Sequence, residues 1–103
     1  MITYSVFYPQ KEDAFFDFDY YQNKHLGILK KHFGDACKGI IVLKDKQSNS
    51  TESEFKCICH IFVETEEKFS KIMEKARPEL LADVKNYTDI KPYSRIFDVS
   101  MHE

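Results

Sequence analysis

The chain has no tryptophan and only three glycines, three prolines and three cysteines among its 103 residues, and no apolar run approaches the ~18–20 residues of a membrane span. Each scarcity excludes something. Cys37, Cys57 and Cys59 are odd in number and follow no secreted-scaffold spacing, so reduced thiols are expected rather than a disulfide framework. No basic segment followed by an apolar signal region opens the chain, so a cytoplasmic location is expected. Charge of one sign is also missing. Fifteen Lys and Arg stand against 17 Asp and Glu, a formal net charge of -2, and this provides no basic field for nucleic acid or an anionic membrane. No glycine-rich nucleotide loop and no HExxH metal site occurs, so no cofactor is expected.

Apolar and aromatic material is plentiful. A hydrophobic fraction of 43% with nine Phe and six Tyr suffices for a packed globule, and a length of 103 residues suits one domain spanning the chain. Ile2 to Tyr8 alternates, with Ile2, Tyr4, Val6 and Tyr8 on one face, and reads as a strand ended by Pro9. Asp17 and Asp19 are candidate N-caps for a helix from about Tyr20 to Phe33, with Gly34 as its stop. Gly39 to Lys44 and Phe55 to Glu64 read as an antiparallel hairpin around a polar connection, Asp45 to Glu54, expected to be exposed and mobile. Thr65 caps a second helix through about Ala76, with Phe69, Ile72, Met73 and Ala76 as its apolar stripe, and Pro78 is expected to open a short further helix. Asn86 to Pro92 leads into a last strand, Tyr93 to Val99.

The order β-α-β-β-α-β is the split βαβ pattern of an α+β, ferredoxin-like fold: a four-stranded antiparallel sheet with both helices on one face. Apolar residues on both strand faces call for a second layer, and packing two such sheets together gives a symmetric homodimer. The fold itself does not choose a function.

Around the first helix, Phe18, Tyr21, His25, Ile28, Leu29 and His32 share one sector at ~100° per residue. His25 lies near its centre. An imidazole there faces the sheet and needs partners for both nitrogens, whether it serves structure or chemistry. Tyr21 is one turn earlier and shares its space. His60 alternates with Ile58 and Phe62 on the third strand, and periodicity leaves open whether that face looks toward the helices. His32, near the helix end, suits a partner of the helix dipole, and His102 is a tail residue with no assigned role. Cys57 and Cys59 share a strand face, which serves a soft metal only if further ligands join them; as small core residues they need none.

Three segments taken together carry a family resemblance: Tyr4-Ser5-Val6-Phe7-Tyr8-Pro9, the run Phe16-Asp17-Phe18-Asp19-Tyr20-Tyr21-x-x-x-His25, and Asn86-Tyr87-Thr88-Asp89-Ile90-x-Pro92. In that order, and at this length, the chain resembles the EthD family. The resemblance spans nearly the whole chain. It implies a dimeric α/β barrel with a pocket between sheet and helices, in a family whose namesake is tied to ethyl tert-butyl ether degradation. Related barrels include cofactor-independent oxygenases, muconolactone-type isomerases and haem-degrading enzymes. Two departures bear on the pocket: Leu26-Gly27 stands where such chains commonly carry Pro soon after the helix histidine, and Arg95-Ile96-Phe97-Asp98-Val99 stands where Gln-x-Ser-Glu-Val is frequent.

The expected function is that of a small-molecule pocket protein, an enzyme or accessory of aromatic, lactone or xenobiotic catabolism. His25 accepts and returns a proton, Tyr21 and Tyr87 hydrogen-bond a developing oxyanion, and Asp89 orients the imidazole unless it caps the turn before the last strand. Tyr4, Tyr8, His60, Phe62, Tyr87 and Phe97 are the expected lining for a small hydrophobic or aromatic ligand. The competing reading is a non-catalytic dimeric module that sequesters a hydrophobic metabolite. An RRM-type RNA binder is excluded because Phe55 to Glu64 lacks the aromatic strand motif, and an acylphosphatase because Pro9 to Ala14 lacks a glycine-rich anion loop.

Overall fold

Alternating β-branched and aromatic residues extend Ile2–Pro9 as strand β1 in the computed structural model, which describes residues 1–46 and 53–103. The other strands are β2 (Cys37–Lys44), β3 (Phe55–Val63) and β4 (Tyr93–Asp98), and all pairings are antiparallel in the order β2-β3-β1-β4. Most of the polar connection expected between β2 and β3, residues 47–52, lies outside the described residues. The architecture is the expected α+β, ferredoxin-like one.

Asp17 starts the first helical rod, its carboxylate accepting from the Tyr20 N–H at 3.0 Å. The rod runs through α1 (Phe18–Tyr20), a π-helical turn (Tyr21–His25) and α2 (Leu26–Phe33), and ends where Gly34 turns to a φ of 51°, a left-handed value that favours glycine. The π turn is wider than an α turn and rotates everything after it relative to a uniform α-helix. The buried side is consequently Tyr21, His25, Leu26, Leu29 and Phe33, while Ile28 and His32 from the expected sector are only half-buried. His32 Nε2 meets Glu79 Oε1 at 2.8 Å, tying the rod to the second helix.

That second helix, α3 (Glu66–Asp83), is capped by Thr65, whose hydroxyl accepts from the Lys68 N–H at 3.1 Å. It corrects the expectation of two short helices, because Pro78 lies inside one unbroken helix. An interior proline costs ~3 kcal/mol through a missing hydrogen bond and a crowded carbonyl one turn back. Here Pro78 is on the exposed side, and the buried stripe Phe69, Met73, Ala76 and Leu80 carries the helix past it, each large side chain returning ~1.5–3 kcal/mol.

Both helices cover the sheet face formed by Ile2, Tyr4, Val6, Tyr8, Cys57, Cys59, Ile61 and Val63; Tyr4 lies 4.8 Å from Phe69 and Tyr8 5.6 Å from Tyr21 between ring centroids. Burial pushes the Cys57 and Cys59 thiols up to about 12 and about 11, so both behave as small core residues. Among the described residues no group of three or more His, Cys, Asp or Glu side chains is placed to hold a metal ion. Among the described residues no helix covers the opposite sheet face, and on it Ile41, Leu43, Tyr93 and Phe97 are 44%, 46%, 41% and 48% exposed. Among the described residues no helix is long and apolar enough to cross a membrane.

Candidate functional site

The π turn sets His25 against the end of α3, with its Nδ1 2.9 Å from Asp83 Oδ2. Both residues are buried. The other Asp83 oxygen accepts from the Tyr20 hydroxyl at 2.7 Å and from the Asn86 side-chain amide at 2.9 Å. Burial pushes the Asp83 carboxyl up, but the hydrogen bonds from Tyr20, Asn86 and His25 outweigh it and hold the group below its ordinary value. Asp83 is therefore an anion, an acceptor only. Nδ1 of His25 must then carry the proton, which leaves the lone pair on Nε2. Burial lowers the His25 pKa against the opposing pull of Asp83, so the ring is neutral near pH 7.

Nε2 points toward the Tyr87 phenol. Tyr87 Oη lies 3.4 Å from it, at the long end of hydrogen-bond range, and 2.7 Å from Tyr8 Oη. The Tyr21 ring stacks on His25 with centroids 5.4 Å apart and planes 16° apart, and meets the Tyr8 ring edge-on at 5.6 Å. Burial pushes Tyr8, Tyr21 and Tyr87 well above the ordinary phenol value, so all three stay protonated and can donate.

These groups meet at a cavity of ≈ 60 Å³, otherwise walled by Val6, Leu26, Leu29, Ile61 and Leu80. A water occupies ~30 Å³ of liquid, so the cavity takes about two waters or the reacting end of a ligand. Leu81, Val84 and Pro92 belong both to this cavity and to a wider groove of ≈ 480 Å³. Apolar walls with a few convergent polar groups are the usual make-up of a small-molecule site.

Of the residues expected from sequence, the cavity brings together His25, Tyr21, Tyr87, Tyr8 and Tyr4. It does not include Asp89. That carboxylate accepts from the Phe15 N–H at 3.0 Å and pairs with Lys11 at 3.0 Å, so it fastens the turn before β4, and Asp83 is what orients the imidazole. His60, Phe62 and Phe97 are on the uncovered sheet face, because they pair across the sheet with Ser5 and Thr3 and not with the inward Tyr4 and Val6. There His60 Nδ1 is 2.7 Å from Ser5 Oγ, and Phe62 stacks on His102 at 5.3 Å.

Sequence reasoning missed Asp83, Tyr20 and Asn86. Asp83 had a signal: it continues the buried series Phe69, Met73, Ala76, Leu80 at steps of three or four residues, an acidic side chain where an apolar one is due and at the helix end where the dipole opposes it. Breaking the helix at Pro78 hid that continuity. Of the two departures from the EthD pattern, Leu26 forms part of the cavity wall, whereas Arg95 faces away from it, opposite Ser5.

No protein-family model and no curated protein matches the chain. Solved structures do. An EthD-like protein from Ralstonia eutropha is 32% identical, with 99% of this chain and 94% of that one aligned at a TM-score of 0.87. An EthD family protein from Bacillus halodurans is 18% identical over 92% of this chain and 98% of that one, with a TM-score of 0.59, and so shares the fold. A dimeric ferredoxin-like protein of unknown function from Thermobifida fusca, 11% identical, covers 93% of this chain and 88% of its own at a TM-score of 0.58 and likewise shows the fold alone.

Proposed function

Starting from the fact that the chain belongs to the EthD family, we propose that it is a proton-transfer enzyme acting on a small aromatic or lactone-like molecule, with His25 as base and then acid. The observation that carries this is the 2.9 Å contact between His25 Nδ1 and Asp83 Oδ2, which fixes the tautomer. A buried neutral imidazole, its Nδ1–H held by an ionised carboxylate, offers an Nε2 lone pair to a cavity lined by phenol donors. Nε2 takes a proton from carbon or a ligand hydroxyl, the imidazolium is stabilised by Asp83 and exchanges its proton with solvent, and a proton is returned to another atom. Meanwhile one phenol of the Tyr8–Tyr87 pair donates to the oxygen on which negative charge develops, while the other donates to its partner's oxygen. Such a step needs a base, an acid and an oxyanion site, and no cofactor.

A second reading, a module that sequesters a hydrophobic metabolite, draws support from one observation: among the described residues every buried side-chain nitrogen and oxygen already has a partner. Solvent exchange in D₂O separates the two readings. A panel of small phenols and enolisable lactones is incubated with the protein, deuterium incorporation is read by proton NMR, and the His25 ring protons are titrated with and without each compound. The enzyme incorporates deuterium into at least one compound and shows a ligand-dependent His25 titration. No incorporation into any of them, with a silent ring, leaves the sequestering module.

The proposal includes a homodimer formed through the uncovered sheet face, supported by the four large apolar side chains exposed there and by the dimeric neighbour of the same fold. The three free thiols support a reducing, cytoplasmic setting.

A further inference from the structure

The wider groove beside the His25 cavity carries a charge arrangement that the proton-transfer chemistry does not use. It is lined by Leu81, Val84, Ile90 and Pro92 together with Lys85, Lys91 and Asp89. Asp89 is already matched by Lys11 and by the Phe15 N–H. Lys85 and Lys91 have no hydrogen-bond or ion-pair partner among the described residues, in a chain whose overall charge is negative. The groove is thus locally cationic over an apolar floor, and it shares Leu81, Val84 and Pro92 with a cavity too small for more than one end of a ligand.

We propose that the substrate is a small apolar carboxylic acid, bound with its reacting end in the His25 cavity and its carboxylate in the groove between Lys85 and Lys91. This rests on the proton-transfer reading and extends it by naming what the far end of the substrate is. The division of labour follows from the geometry. A carboxylate in the inner cavity would be desolvated among apolar walls, with the Asp83 anion behind the His25 ring, whereas in the groove it stays wet and meets two ammonium groups. Exposed ion pairs are each worth little, so recognition comes from the pair of lysines acting with the apolar contact.

The test compares 4-hydroxyphenylacetate with 4-hydroxyphenylacetamide, which differ in charge at the far end only, by NMR titration of the full chain. The expected result is that the acid binds about tenfold more tightly than the amide, that Lys85→Gln and Lys91→Gln each weaken the acid about two- to fivefold, and that the double variant binds acid and amide alike. The preference also shrinks as salt is raised, because both lysines are in reach of solvent. His25→Phe keeps the preference while losing deuterium exchange, which keeps a failure of this proposal distinct from a failure of the catalytic reading. Equal binding of acid and amide, a preference that survives in the double variant, or no binding of either compound at millimolar concentration overturns it.

Discussion

Asp83 at the end of one helix holds Nδ1 of His25, 58 residues earlier in the chain, at 2.9 Å, and so decides which imidazole nitrogen faces the cavity. The π turn brings the ring to that position, and Tyr20 and Asn86 occupy the second carboxylate oxygen so that Asp83 cannot swing away. The functional consequences can be tested one group at a time.

Replacing His25 with Phe should leave a folded protein that catalyses no deuterium exchange. The site is largely apolar and the two rings are of similar shape, while Asp83 keeps Tyr20 and Asn86 as partners. A stability loss of about 1–3 kcal/mol is expected from the hydrogen bond to a charged acceptor. Circular dichroism melts and the exchange assay together check this; full exchange activity in a folded variant removes His25 from the mechanism.

Asp83→Asn should lower the His25 pKa further. Burial already depresses it, and the carboxylate is the influence that raises it. The variant's ring therefore titrates at a lower pH than the native one and loses its fixed tautomer. Exchange activity should fall by roughly two orders of magnitude or more, within the usual range for general base catalysis. An unchanged or raised titration midpoint, followed by NMR of the ring protons, counts against the assignment of Nδ1 as the donor.

Stability should decline on acidification in two steps. The folded His25 pKa lies below its ordinary value of 6.5, so the unfolded chain binds more protons as pH drops below 6.5 and the stability present above that point is lost on the way to the folded pKa. The folded Asp83 pKa lies below its ordinary 3.8, so its contribution, present above 3.8, is lost as pH falls through the folded value. Urea unfolding at pH 8, 6 and 4.5 should show the first step in the native protein and not in His25→Phe. A first step of the same size in both proteins assigns it to another group.

The homodimer should be broken by Phe97→Glu. Phe97 is 48% exposed on the uncovered face, so a charge there costs the isolated chain little but would be buried against a second copy. Light scattering at micromolar concentration should give a dimer mass for the native chain and a monomer mass for the variant. A monomeric native chain rejects the dimer; an unperturbed variant dimer moves the interface elsewhere.

Removing Pro78 should stabilise the fold. Pro78→Ala restores a backbone donor inside α3 at an exposed position. Part of the ~3 kcal/mol penalty is returned, less the ~1 kcal/mol of unfolded-state entropy that proline suppresses, so about 1–2 kcal/mol is expected. A thermal melt that moves down instead shows that the helix is shaped around the proline.

Strand alternation in Ile2 to Tyr8, the placement of Tyr21 and His25 on a buried helix side, the Asp17 and Thr65 caps and the stop at Gly34 were all determined by sequence, because each depends on neighbours a few residues away. Tertiary structure decided the rest. Alternation separates His60 and Phe62 from Cys59 and Ile61, but only the docking of the helices says which set is inside. Asp83 and Asp89 are both acidic residues near the same chain turn, and the choice between them as partner of His25 depended on α3 running unbroken through Pro78 until its last residue met the π turn. Local propensity stops the helix at the proline; the buried Phe69, Met73, Ala76 and Leu80 keep it going, and that burial exists only once the sheet is underneath.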